Sequence, residues 1–120
     1  MFKRDIGLYL NDIDESMAAI EDYTAGLSYE AFAGDRKTYS ATLREFIVIG
    51  EAIAGIPDSL KEKAPSVEWR LIKDFRNFIV HEYFGVDPRI VWDAVQKELP
   101  VLKVEVALLR QAYLAQDNPA

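Results

Sequence analysis

The chain has no cysteine, which excludes disulfides, thiolate metal sites and a cysteine nucleophile. It has one histidine, so a single copy cannot build a multi-histidine metal cage. No apolar run approaches the roughly 18 residues needed to cross a bilayer. The start, Met1-Phe2-Lys3-Arg4-Asp5, lacks the apolar core of a signal peptide. The expected compartment is the cytoplasm, with no membrane partner. Positive charge is in short supply: 14 Lys and Arg face 20 Asp and Glu, for a net charge of −6. That balance argues mildly against a nucleic-acid partner. Strand-like alternation, internal repeats and low-complexity linkers are also missing.

What is present is ordinary in bulk. The 120 residues are 50% hydrophobic and 28% charged, enough for one domain with an unaided core. The expected domain spans residues 1–115, with residues 116–120 as a frayed tail. The charge is uneven along the chain. Residues 1–30 hold two cations against seven carboxylates, whereas residues 61–76 hold five cations against three carboxylates. The middle of the chain is therefore locally basic, which reopens an anionic ligand there.

Apolar residues recur with helical spacing nearly throughout. Ile6, Tyr9, Leu10, Ile13, Met17, Ile20 and Tyr23 predict a first long helix ended by Gly26. Ser28 can cap a short turn through Phe32, and Asp35 can cap a second long helix that closes near Gly55 and Pro57. Asp58 is read as the cap of a short helix to about Lys63. Pro65-Ser66 is read as the opening of a third main helix that runs to between Val80 and Tyr83. Gly85 is a stop, and Asp87-Pro88 is a cap followed by a first-turn proline. Val91, Val95, Leu99, Leu102, Val106, Leu109 and Tyr113 mark the last helix, where Pro100 predicts a kink or a tightened turn. Four main helices plus short ones imply an all-α, up-and-down bundle.

The segment Trp69 to Phe84 carries the chemistry. At 100° per residue, Leu71, Ile72, Phe75, Phe78 and Ile79 share an apolar arc about 120° wide, assigned to the core. Arg70, Lys73, Asp74, Asn77 and His81 share the opposite arc, and Arg76 lies at the edge of the apolar one. Asn77 is one turn back from His81, within reach of its ring. Taken alone, His81 reads as a capping histidine near a helix end, and Arg76 as an edge arginine with its stem on the core. Trp69 and Trp92 read as packing residues rather than platforms for bases. Taken together, the set suits acid–base cleavage of RNA. A histidine can move protons near neutral pH, because its reference pKa is about 6.5. An arginine fork can hold a phosphate while the 2′-hydroxyl attacks phosphorus. No metal or cofactor is needed. On one straight helix, however, Arg76 and His81 diverge by about 140°, and one chain offers a single histidine. A symmetric dimer would answer both difficulties.

Arg76-Asn77-Phe78-Ile79-Val80-His81-Glu82-Tyr83 matches R-N-x-x-x-H-x-Y. The segment resembles the signature of HepT-like toxins in the HEPN superfamily. Gly50-Glu51-Ala52, Phe84-Gly85-Val86-Asp87, Val91-Trp92 and Leu99-Pro100 are similar to that family as well, so the resemblance spans nearly the whole chain, from about Ile6 to about Tyr113. It implies a HEPN-like helical bundle that dimerises through its motif helices and cuts RNA without metal in a composite cleft. It further implies Arg76 and His81 as the catalytic pair and Asn77 as their support. Tyr83 is implied as the tyrosine to which a minimal nucleotidyltransferase antitoxin transfers AMP. Bulk and negative charge placed beside an anion-binding cleft would both block and repel RNA.

Glu51 sits beside Gly50 in an apolar stretch. It can be a partner of Arg76 behind the site or simply a residue on a surface face. Asp12, Asp14 and Glu15 read as the solvent face of the first helix rather than as metal ligands. The expectation is a homodimeric toxin ribonuclease with RNA as substrate. The rivals are a non-catalytic partner or nucleotide-binding module of the nucleotidyltransferase, and a structural bundle with no ligand.

Overall fold

The structure is a computed structural model that describes residues 5–65 and 68–116. The course among them is helical: α1 (Ile6–Thr24), α2 (Tyr29–Gly34), α3 (Arg36–Ala54), α4 (Asp58–Lys61), α5 (Trp69–His81), α6 (Pro88–Asp93) and α7 (Leu99–Gln116). No strand occurs among the described residues. None of their helices is long and apolar enough to cross a membrane.

The helix starts follow local chemistry. The Asp5 carboxylate accepts from the Gly7 N–H at 2.7 Å and from the Tyr113 hydroxyl at 2.9 Å, so one side chain caps α1 and ties it to α7. Ser28 Oγ accepts from the Ala31 N–H at 3.1 Å. Asp35 accepts from the Lys37 N–H at 3.1 Å and from the Thr38 hydroxyl at 2.8 Å. Asp87 accepts from the Arg89 N–H at 2.9 Å, with Pro88 in the first turn. Gly26, at φ +72°, turns the chain out of α1 in a conformation that only glycine adopts without strain.

Three boundaries differ from the sequence pattern. Pro57, not Asp58, precedes α4, which makes no side-chain cap and ends at Lys61. The third main helix begins at Trp69 rather than at Pro65-Ser66. Of that pair, Ser66 lies outside the described residues, as does the expected tail from Asp117 onward. Pro100 does not tighten the last helix. It has no N–H to return to the Gln96 carbonyl, and its ring crowds that oxygen. The chain widens instead into a π-helical turn, Ala94–Glu98, in which the Leu99 N–H reaches back to the Ala94 carbonyl.

The four long helices run up and down. Tyr9 lies against Gly55 while Ser16 bonds Glu45, so α1 and α3 are antiparallel. Asp14 pairs with Arg110 and Glu21 with Lys103, which sets α7 antiparallel to α1. The ring of Phe46 meets that of Phe75 at 5.3 Å, joining α3 to α5. The order across the bundle is therefore α5, α3, α1, α7. Leu10, Ile13, Met17 and Ile20 of α1 pack with Leu43, Phe46, Ile49 and Ile53 of α3, and with Val106 and Leu109 of α7. Each such side chain stabilises the fold by about 1.5–3 kcal/mol. A buried carboxylate joins α1 and α3 as well. Glu45 accepts from the Ser16 hydroxyl at 2.9 Å and from the Tyr23 hydroxyl at 3.0 Å. That bond to a carboxylate pushes the Tyr23 phenol above its ordinary range.

Outermost in the bundle, α5 contributes one fully buried side chain, Ile79. Leu71 and Phe78, assigned to the core by their helical arc, are exposed instead, at 56% and 37%. The core arc of α5 is narrower than the pattern suggests because α5 packs mainly against α3, which can cover only part of its apolar face.

Candidate active site

The site begins with a missing side chain. A Cβ on Gly50 would stand 2.5 Å from both Cβ and Cγ of Arg76. Only glycine lets α5 approach α3 this closely, and the space left by hydrogen at Gly50 holds the stem of Arg76. The next residue of α3, Glu51, meets the head: its carboxylate pairs with one terminal nitrogen of the Arg76 guanidinium. The other terminal nitrogen donates to Asn77 Oδ1 at 2.8 Å. Arg76 Nε is buried without a hydrogen-bond partner among the described residues. The side chain keeps 31% of its surface exposed, so its fork still reaches solvent.

This arrangement alters the geometry expected from a bare helix. Arg76 leaves α5 well away from His81, but its head is drawn toward Asn77, one turn below the histidine. Asn77 therefore engages the arginine rather than orienting the imidazole. No described residue hydrogen-bonds the His81 ring, which is exposed in the last turn of α5. The structure brings Arg76, Asn77 and Glu51 together and leaves His81 one turn beyond Asn77, exposed to solvent.

Tyr83 follows in the turn after α5, where the Glu82 N–H bonds the Phe78 carbonyl at 2.9 Å and the Gly85 N–H bonds the Glu82 carbonyl at 2.7 Å. Its ring is half-buried and meets Phe84 edge-on at 5.5 Å. Phe84 itself is 96% exposed. The turn is tied to α3 by the Tyr39 hydroxyl, which donates to the Val86 carbonyl. Burial, the Asp87 charge and Tyr83 all push the Tyr39 phenol above its ordinary range.

Trp92 packs against Phe32 at 5.2 Å and Tyr29 at 6.3 Å, as a packing residue does. Trp69 is half-buried against the core, and its indole N–H has no partner among the described residues. No group of three or more metal-ligating side chains occurs among those residues, Asp12, Asp14 and Glu15 included. A groove of about 900 Å³ lies elsewhere, between the end of α1 and α7, and none of Arg76, Asn77, His81 and Tyr83 lines it. Two features of the site were not legible in the sequence. One is the need for glycine at position 50, and the other is the outward face of Leu71 and Phe78. Neither has a local signature, because both depend on how closely α3 and α5 approach.

Comparison with known proteins gives a consistent result. The family model described as "Ribonuclease HepT-like" matches residues 13–109. A Thermococcus cleftensis protein named "Probable ribonuclease HepT" is 38% identical over 109 residues, covering 91% of this chain and 99% of its own. A relative from Methanocaldococcus jannaschii with a provisional RNase name is 38% identical over 105 residues, covering 88% of this chain and 87% of its own. One from Caldanaerobacter subterraneus subsp. tengcongensis, also with a provisional RNase name, is 35% identical over 103 residues, covering 86% and 92%. No solved structure gave a significant match.

Proposed function

The chain belongs to the HepT-like ribonuclease family, and we propose that it is a toxin endoribonuclease whose working site is built by two copies. The observation that carries this reading is the arrangement on α5. One helix carries a polar-anchored arginine, an open histidine and two exposed apolar side chains, Leu71 and Phe78. Those two residues are seven apart on one face, and that face borders the one bearing His81. Pairing two such faces about a two-fold axis buries the apolar residues and sets two histidines and two arginines around one cleft.

In that cleft one His81 takes the proton of the RNA 2′-hydroxyl as the oxygen attacks the adjacent phosphorus. The second copy's His81 gives a proton to the departing 5′-oxygen. The bond to that oxygen breaks, leaving a 2′,3′-cyclic phosphate and a free 5′-hydroxyl. Arg76 faces the phosphate oxygens, where negative charge builds in the transition state. Glu51 and Asn77 hold the fork in place and act through Arg76.

Tyr83 is the control point of this reading. A nucleotidyltransferase antitoxin transfers AMP to its hydroxyl, two residues beyond His81, and the added phosphate repels RNA from the cleft. The place of Tyr83 in the turn directly after α5, two residues beyond the exposed His81, supports this reading.

The test is cleavage of RNA by purified protein and by His81→Ala. A loss of about 10²–10⁴ in kcat is expected for removing a proton-transfer group. Equal cleavage by both proteins overturns the role of His81. Tyr83→Phe should stay active when the nucleotidyltransferase and ATP are present, whereas the parent is silenced and gains the mass of AMP.

A further inference from the structure

Phe84 stands apart from every other aromatic side chain among the described residues. It is 96% exposed, whereas the next most exposed, Tyr23 and Phe78, stand at 37%. Both tryptophans pack against the core. A phenylalanine left in water forgoes the burial that stabilises the other rings of the bundle.

Its setting is fixed. The Glu82 N–H bonds the Phe78 carbonyl at 2.9 Å, so the turn grows out of the end of α5. The Gly85 N–H closes the turn on the Glu82 carbonyl at 2.7 Å, with Tyr83 and Phe84 at its two central positions. Just beyond, Val86 is buried, and its carbonyl accepts from the Tyr39 hydroxyl of α3. The backbone under Phe84 is therefore held on both sides, and the Tyr83 ring steadies the phenyl edge-on. A ring held in advance loses less freedom when a ligand covers it.

Place and charge narrow the ligand. Phe84 follows His81 by three residues, so its Cα lies within about 11 Å of that of the histidine. Exposed carboxylates, Glu82 and Asp87, flank the turn, and the chain carries a net charge of −6. Ionic contacts to phosphates can give little hold at such a place, whereas stacking needs a π face and no positive charge. A lone ring between two carboxylates also suits one flat base better than a protein surface, which calls for a contiguous apolar patch.

We propose that Phe84 is the platform on which a nucleobase of single-stranded RNA stacks, next to the phosphate cut at His81. The proposal rests on the ribonuclease reading and deepens it by naming what grips the substrate. Any base has a π face, so the platform is tolerant of sequence, but the base must be unpaired.

The experiment measures binding of a fluorescein-labelled single-stranded RNA by anisotropy across a salt series, in a His81→Ala background that prevents cleavage. Phe84→Ala should weaken binding about 5- to 150-fold, the worth of one stacked base. Phe84→Leu, apolar but without a π face, should bind nearly as weakly, and Phe84→Trp should bind at least as tightly as the parent. The slope of log K against log salt should be the same in all four, because no phosphate contact is lost. Val104→Ala, which trims another exposed apolar side chain on α7, should bind like the parent.

Parent-like binding by Phe84→Ala or by Phe84→Leu overturns the platform. So does a shift of Phe84→Ala to monomer in sedimentation, which would make the ring an anchor between copies. These results leave the ribonuclease reading intact if the protein with His81 restored still cuts RNA. A parent that neither binds nor cuts RNA overturns both.

Discussion

Gly50 and Arg76 share one space: a methyl group on the glycine would stand 2.5 Å from the first two side-chain carbons of the arginine. The stem of Arg76 cannot swing clear without losing Glu51 and Asn77, so α5 itself would have to move. Gly50→Ala gains about 1 kcal/mol of helix propensity and loses about 1–3 kcal/mol to overpacking. The expected result is a lower melting temperature together with a marked fall in ribonuclease activity. A more stable and fully active variant would contradict the close approach of α3 and α5.

Glu51→Gln separates positioning from stability. The Glu51–Arg76 pair is partly exposed, and such pairs contribute about 0–1 kcal/mol to folding. The melting temperature should therefore barely change. A glutamine still accepts a hydrogen bond but no longer balances the guanidinium, so the fork is held less firmly in the proposed cleft. The expected signature is a fall in kcat with KM little altered, and Glu51→Asp should recover part of it. Unchanged kinetics would reduce Glu51 to a surface partner.

Leu71 and Phe78 test the two-copy site. Burying what is still exposed of this pair, 56% of Leu71 and 37% of Phe78, contributes about 1 kcal/mol for each side chain. Leu71→Glu with Phe78→Glu should turn a dimer into a folded monomer in sedimentation and abolish cleavage. A parent protein that is monomeric at micromolar concentration and still cuts RNA would remove the composite cleft.

Asp35 gives a pH-dependent check on the start of α3. The Thr38 hydroxyl and the Thr38 and Lys37 backbone amides hold its carboxyl below the ordinary 3.8. A native pKa below the unfolded one means that the cap contributes fully above about pH 3.8, and that its contribution is lost as the pH falls through the native value. Asp35→Ala should therefore melt below the parent at about pH 6, and the gap should narrow as the pH falls below about 3.8. A gap that stays constant across that range would mean the carboxylate is not what caps the helix.

The helices and most of their caps could be read directly from the sequence. Apolar spacing of three and four residues, with Asp35, Ser28 and Asp87 ahead of the runs, reflects hydrogen bonds and burial that act within a few residues of each other. The R-N-x-x-x-H-x-Y segment stood out by its resemblance to a family signature, whereas helix geometry alone set Arg76 and His81 about 140° apart. Pro100 was legible as a disturbance, expected as a kink or a tightened turn. Of the two ways a helix turn can adjust around a proline, it widens rather than tightens.

Tertiary structure alone decided the rest. Helical periodicity places Leu71 and Phe78 on an apolar arc, but it cannot say that α3 covers only the Ile79 side of that arc. Nor can it say that Arg76 turns from its own direction toward Asn77 and Glu51. A side chain of this length spans the distance between neighbouring helices, and its final position is set by the partners waiting there. The spacing of residues along one helix is local and is written in the sequence. The fit of Arg76 into the gap at Gly50 joins two helices, and it exists only once they have met.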